Sequence, residues 1–336
     1  MTKITALVFT ALLALAAGAH ADTLAAVKKR GLLICGSNPG LAGFGLPDGQ
    51  GNWTGFDVDF CRAIAAAIFG DAGKVKFVPL APKDRFQALR SGQIDVLASN
   101  TTWTLSRETG QNLLFAGITY YDGQGFLVSS KLGVSSALEL SGTSICVQQS
   151  TTSELNLADF FQVNSMSYKP LAFATADDAI KAYDSGKCQA YTGDASDLYA
   201  GRMALADPGA NIVLPEIISK EPLGPAVRQG DDRWFNIVKW VSFALIDAEE
   251  LGVTSKNVDE KAKSESPDIK RLLGFEGNFG EKMGLDTDWA YRAIKLVGNY
   301  GEIFERNLGE NSPLKIKRGM NALWTNGGLL YAPPVR

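Results

Sequence analysis

The sequence predicts an α/β fold of two similar units, each a mainly parallel sheet flanked by helices. Three observations carry that expectation. Apolar strand-like runs alternate with helix-like segments in the first third of the chain, and the alternation restarts beyond residue 125. One short pattern also recurs. "ALRSGQIDVLASN" (88–100) and "AYDSGKCQAYTGD" (182–194) lie 94 residues apart, and each passes from a Ser-Gly helix stop into a strand ending on a polar side chain.

The chain opens with one Lys, an apolar stretch from Ile4 to Ala17 and the small-x-small triplet Ala19-His20-Ala21. That is the pattern of a secretory signal peptide over residues 1–21, cut after Ala21. The stretch is short for a bilayer span. No Cys follows the cut, so a lipid anchor is not expected, and 315 residues remain for two domains.

"GLLICG" reads as a buried strand, followed by a Gly- and Pro-rich loop. Asp57 is placed to N-cap the helix "VDFCRAIAAAIFG", which Gly70 ends. "KVKFVPL" alternates as a strand does, "KDRFQALRSG" is a helix and "QIDVLASN" the strand after it. This βαβαβ order implies parallel pairing with right-handed crossovers. In the second unit "TSICVQQ" is a strand, "TSELNLADFF" and "ATADDAIKAYDSG" are helices, and "CQAYTGD" is a strand. "DRWFNIVKWVSFALIDAEELG" reads as an amphipathic helix burying Phe235, Val238, Val241, Phe243, Leu245 and Ile246. The remainder is helical and aromatic-rich.

Loss of Lys3 with the leader leaves 32 Lys+Arg against 36 Asp+Glu, a net charge of −4. That mild acidity without a basic block argues against nucleic acid and anionic membrane surfaces as partners. The single His, His20, is in the leader, so the mature chain has none. Ser-His-Asp and Cys-His catalysis and His-ligated zinc are excluded. Cys35, Cys61, Cys146 and Cys188 form an even set in an exported chain, without CxxC spacing, so disulfides rather than metal are expected, in one of three connectivities. Cys35–Cys61 would join a strand to the helix beside it, and Cys146–Cys188 would link two strand-like runs.

In sheets of this kind ligands sit beyond the carboxyl ends of the strands. "SNTTWTLSRETG" (99–110) follows a strand there and sets hydroxyls and an amide beside Arg107, which is able to clamp a carboxylate bidentately. "QQSTTSE" (148–154) also stands between a strand and a helix, with Ser150, Thr151 or Thr152 as N-cap and Glu154 closing a capping box. Asp194 ends its strand and is able to receive an ammonium group. Together these residues describe a zwitterion site shared between two lobes.

These stretches resemble the periplasmic amino-acid-binding proteins of ABC importers, which have the two-lobed type II periplasmic-binding-protein fold. "SGQIDVLASNTTWTLSRE" is similar to that family's carboxylate-binding strand and loop, which implies Arg107 as the clamp with Asn100 and Thr102 before it. The second-lobe loop falls on Ser150-Thr151-Thr152, with Thr152 at the carboxylate, and the amine-binding Asp falls on Asp194. "NPGLAGFGLPDGQGNWTGFDVDFCRAIAAAIFGD" and the terminal "NYGEIFERNLGENSPLKIKRGMNALWTNGGLLYAPPVR" resemble the general L-amino-acid receptors in particular. The resemblance implies disulfides Cys35–Cys61 and Cys146–Cys188, one in each lobe.

There are departures. Ser150 stands where the family usually has Gly. Asn38 is neutral where receptors for basic amino acids carry an acid, and Pro82 occupies a place where many relatives set an aromatic ring, leaving Trp103 as a substitute. Broad specificity is therefore expected, with Asn38 and Trp103 as specificity positions. The expected lobes are residues 22–120 with 220–336, including a helical extension from about 253, and 125–216. They are joined at "TYYDGQG" and "SKEPLG". No phosphate-binding GxxxxGK[ST] loop is present. The expectation is a monomeric periplasmic receptor that delivers L-amino acids to membrane permease subunits, without cofactor or metal. The rivals are a prephenate- or arogenate-dehydratase-like enzyme and a ligand-binding module of a signalling sensor.

Overall fold

A computed structural model describes residues 22–336; the expected leader lies outside the described residues. Two five-stranded sheets form the frame. The strands of the first are β1 (Leu33–Ser37), β2 (Val75–Pro79), β3 (Val96–Leu97), β4 (Leu113–Phe115) and, much later in the chain, Ala226–Arg228. Their order is β2-β1-β3, then Ala226–Arg228, then β4; the first three run parallel and the last two pair antiparallel.

Between the sheets runs β5 (Tyr120–Asp122). The second sheet has β6 (Gln124–Ser129), β7 (Ser144–Gln148), β8 (Lys169–Phe173), β9 (Ala190–Asp194) and β10 (Asn211–Val213), in the order β8-β7-β9-β6-β10. Again three parallel strands are followed by two antiparallel ones. The echoed segments hold matching places, because β3 and β9 are both the third strand of their sheet and each is flanked by a strand arriving from a crossing. β11 (Glu221–Leu223) pairs antiparallel with β5, and β12 (Ala226–Arg228) is the late strand of the first sheet. The two lobes are thus joined by a two-stranded ribbon.

The first helix after β1 spans Phe56–Phe69, and it corrects one expectation. Gly55, not Asp57, is the N-cap; its φ of 138° and a Phe44 carbonyl 2.0 Å from where a Cβ would stand leave room for glycine alone. Asp57 lies inside the first turn and turns its carboxylate toward the Asn100 amide instead. The strand Lys169–Phe173 was not expected. It is a half-exposed sheet edge where Pro170 costs no interior ladder bond, and a Pro within so short a run demotes it as a strand when only the sequence is read.

The long helix Asp232–Glu250 buries Trp234, Ile237, Val238, Val241 and Leu245 at i, i+3, i+4, i+7 and i+11. Phe235 and Phe243 sit only partly buried at the border of that face. Residues beyond 253 pack onto the first lobe's core. Trp289–Val297 and Tyr300–Asn307 cover the helix Phe56–Phe69, and Phe304 and Tyr300 join an aromatic cluster with Phe56 and Tyr120. Both expected disulfides are present, Cys35–Cys61 with Cα atoms 6.4 Å apart and Cys146–Cys188 with 5.8 Å. Among the described residues no helix is long and apolar enough to cross a membrane.

Candidate functional site

The carboxyl ends of the parallel strands converge on one cleft between the sheets. Asn38 follows β1, Asn100 and Thr102 follow β3, Thr152 follows β7 and Asp194 ends β9; all line this cleft, as does Arg107. Pro82, Arg85, Gln148, Tyr191 and Asp197 complete much of the wall. Free space inside is about 30 Å³, room for a water or two, so a guest the size of an amino acid requires the lobes to part.

Arg107 is carried by the helix Leu105–Gln111, capped by Thr104, whose Oγ1 accepts from the Arg107 amide at 3.2 Å. Its Nη1 donates to the Thr102 carbonyl at 2.8 Å, and its guanidinium lies 5.5 Å from the centre of the Phe86 ring. Burial lowers its pKa, opposed by Glu221 and Asp194. Guanidinium stays charged regardless. It is therefore a fixed, partly desolvated cation with free donors for an anion.

Asn100 has a positive φ of 35° and donates its amide to Asp57 Oδ2 at 2.6 Å. Its Oδ1 accepts from Asn38 Nδ2 at 3.1 Å, so the two amides brace each other. Burial pushes the Asp57 carboxyl up to about 7, against the Asn100 amide and Arg85.

In the second lobe Thr151 is the N-cap, its Oγ1 accepting from the Glu154 amide at 3.3 Å, and Thr152 opens the helix Thr152–Val163. Glu154 reaches back to the Ser150 amide at 2.9 Å. Ser150 has φ 62°, the left-handed conformation that glycine adopts freely. Asp194 stands at the N-cap of the helix Ala195–Met203 but makes no capping bond; it is 5 % exposed. Burial, then Asp197, Asp122 and Glu221, raise its pKa well above the usual carboxylate range, while Arg107 lowers it. A cation placed there would relieve that cost.

Three features depart from the reading of the sequence. Trp103 does not line the cleft: its ring stacks on Phe115 and its Nε1 donates to Glu108 at 2.8 Å. Thr102 and Thr152 face each other at 3.3 Å, but both hydroxyls donate to Glu221 Oε2, at 2.6 and 2.9 Å. Glu221, 1 % exposed on the second crossing, also accepts from Asn156 and Ser219 at 2.7 Å each. A single acid in "SKEPLG" gave no sequence signal for such a hub.

Arg85 and Asp197 were missed as well. Arg85 lies at i, i+3, i+4 with the buried Ala88 and Leu89, so the inward face of its helix was readable, whereas the cation on that face was not. Its Nη1 donates to the Ser99 carbonyl at 3.1 Å, and burial lowers its pKa to about 9. Asp197, one turn beyond Asp194, has its pKa raised well above normal by burial and by Asp122, Glu221 and Asp57.

A cleft with a cation from one lobe and an acid from the other fits a small dipolar solute. Comparison with known proteins agrees. The chain is 59 % identical over 323 residues, 96 % of its length and 95 % of the relative's, to the "General L-amino acid-binding periplasmic protein AapJ" of Rhizobium johnstonii. It is 55 % identical over 328 residues, 97 % of each chain, to the "Glutamate/glutamine/aspartate/asparagine-binding protein BztA" of Rhodobacter capsulatus. A solved periplasmic binding protein of an ABC transporter from Brucella ovis, with glutathione bound, superposes with a TM-score of 0.93 at 60 % identity, over 94 % of this chain and all of that one. The first two are named as binding proteins and the third as part of an ABC transporter, which sets the dehydratase reading aside. Matched over residues 33–257, the chain belongs to the bacterial extracellular solute-binding proteins, family 3.

Proposed function

We propose that this protein captures L-α-amino acids in the periplasm and delivers them to the permease of an ABC importer. Arg107 and the start of the helix Thr152–Val163 take the carboxylate, and Asp194 takes the ammonium. The lobes are residues 22–120 with 220–336, and 125–216, moving about the β5–β11 ribbon. Export follows from the leader at residues 1–21, and the protein acts as a monomer. The single observation that carries this reading is the meeting of Arg107, on the helix Leu105–Gln111, and Asp194, at the end of β9, in one narrow cleft.

The relatives support the ligand class. They are named for L-amino acids, for glutamate, glutamine, aspartate and asparagine, or were solved with glutathione, whose γ-glutamyl end is itself an α-amino acid head. Neutral Asn38 on the cleft wall fits breadth over dedication to cationic side chains. The test is a thermal-shift screen of the common amino acids followed by calorimetry on Arg107→Ala and Asp194→Ala. Each variant is expected to melt cooperatively and to lose on the order of 2–5 kcal/mol of binding, the cost of removing one partner of a desolvated charge pair. Near-native affinity in either removes that residue from the site.

A further inference from the structure

Away from the cleft, the last residues of the chain fold against the end of the long helix Asp232–Glu250 and leave a cavity of about 210 Å³, room for roughly seven waters. Asp247 and Glu250 of that helix, Asp268 and Leu272 of the helix Pro267–Leu272, and Trp324 and Tyr331 of the tail line it. It shares no residue with the cleft, and most of its wall follows residue 257, where the family match ends. Two of its three carboxylates are already partnered. Glu250 accepts from Trp324 Nε1 at 3.1 Å, and Asp268 pairs with Arg271 at 2.7 Å and stands 3.7 Å from Arg336. Asp247, 9 % exposed, has no side-chain hydrogen bond or ion pair among the described residues. Its Oδ2 is sealed in protein, while Oδ1, equally without a partner, is reached by solvent on the side of this cavity. Asp247, Glu249 and Glu250 also crowd the last turn of their helix, the negative end of its macrodipole, and no basic residue is in that turn. Burial, then Glu250 and Asp268, push the Asp247 carboxyl up to about 7. A cation in the cavity relieves each of these costs by favouring the ionised carboxylate.

We propose that this cavity is a second ligand site, which takes a small free alkylammonium ion with its nitrogen on Asp247 and its hydrocarbon against Leu272 and the tail aromatics. The site stands whether or not the cleft takes amino acids. Among the described residues no three acids converge as metal ligands, so the cation is an organic one. Asp247 offers a single reachable oxygen, which suits the point charge of an ammonium; the guanidinium fork needs two. Trp324 and Tyr331, 50 % and 67 % exposed, meet edge to face with ring centres 5.3 Å apart, and their rings present π faces and apolar area at the rim.

The test titrates n-butylammonium into the full mature chain and follows the indole N–H resonance of Trp324, assigned by its disappearance in Trp324→Phe. That signal is expected to shift and saturate in wild type, and equally in Asp194→Ala, which lacks the ammonium partner of the cleft. Asp247→Asn should weaken this binding at least about tenfold and leave amino acid affinity at the wild-type value; melting curves report its folding. n-Butylguanidinium should bind less tightly than n-butylammonium. So should Nα-acetyl-lysine N-methylamide, which carries the same ammonium on a peptide unit that has to stay outside. An unmoved Trp324 signal, or unchanged affinity in Asp247→Asn, would overturn the site. Tighter binding of the guanidinium would overturn the single-oxygen geometry, and tighter binding of the lysine derivative would overturn the free amine in favour of a partner protein's lysine. None of these outcomes touches the amino acid reading, which is tested at Arg107 and Asp194.

Discussion

Asp194 has no ordinary reason to be ionised where it stands. Burial and the nearby Asp197, Asp122 and Glu221 all raise its pKa, and only Arg107 works the other way. The same holds for Asp57, pushed up to about 7 by burial, and Asp122, pushed up to about 6. Each of these groups binds its proton more tightly folded than unfolded. The contribution of Asp57 and Asp122 is therefore complete below the unfolded value of 3.8 and is lost as pH rises through about 6 to 7. The protein without added amino acid is expected to melt higher at pH 5.5 than at pH 7.5, by calorimetry; the opposite order would mean that these carboxyls are already ionised. Not all of this was readable. Asp194 stood out because it ends a strand, and Arg107 because hydroxyls surround it. Arg85, Asp197 and Glu221 are ordinary letters on ordinary helices and a turn, and become unusual only when another segment buries them.

At the scale of elements the sequence was more transparent, since period and punctuation are local. The βαβαβ order, both Ser-Gly stops and the face of the long helix emerge from the residues alone. What failed was whatever depends on partners, such as the edge strand Lys169–Phe173 and the Trp103 ring that fills the first core rather than the cleft. The disulfides tie local elements, closing separations of 26 and 42 residues, worth about 3–4 kcal/mol each by chain entropy. Replacing Cys35 and Cys61 by Ala is expected to lower the melting temperature and leave the ranking of ligands unchanged; an unchanged non-reducing melt would argue against the bridge in solution. The tail beyond residue 253 adds something the family match, which ends at 257, does not include. Asn321, 3 % exposed, accepts from the Tyr121 amide at 2.7 Å and donates to its carbonyl at 3.0 Å, and Tyr300 donates its hydroxyl to the Thr119 carbonyl at 2.8 Å. The extension thus grips the first crossing strand as another strand would. Asn321→Ala should speed amide exchange at Tyr121 by about tenfold, the loss of two buried backbone bonds being only partly recovered by water. Unaltered exchange there would make the grip incidental.

For the whole molecule the decisive question is what holds the lobes together, and Glu221 answers it. Its two oxygens accept four hydrogen bonds, from Thr102 on the first lobe, Thr152 and Asn156 on the second, and Ser219 beside the crossing. A carboxylate has about four lone-pair sites, so this one is saturated. Each threonine hydroxyl has one proton to give, and here both protons go to Glu221. A ligand carboxylate that competes for them must displace this internal one, and the narrowness of the cleft means that displacement accompanies opening. Glu221 thus behaves as a tie between lobes that a guest has to replace. Charge-assisted bonds of this kind are worth about 1.5–3 kcal/mol each. Removing the tie should therefore shift the lobe equilibrium by tenfold or more. Glu221→Ala is expected to increase the radius of gyration in small-angle scattering without added amino acid, to recover the compact value when ligand is added, and to bind that ligand more tightly than wild type. The gain comes from two sources: no bond to break, and no second anion beside Arg107. Weaker binding with unchanged scattering would place Glu221 in the ligand's own shell and remove it as a tie between the lobes.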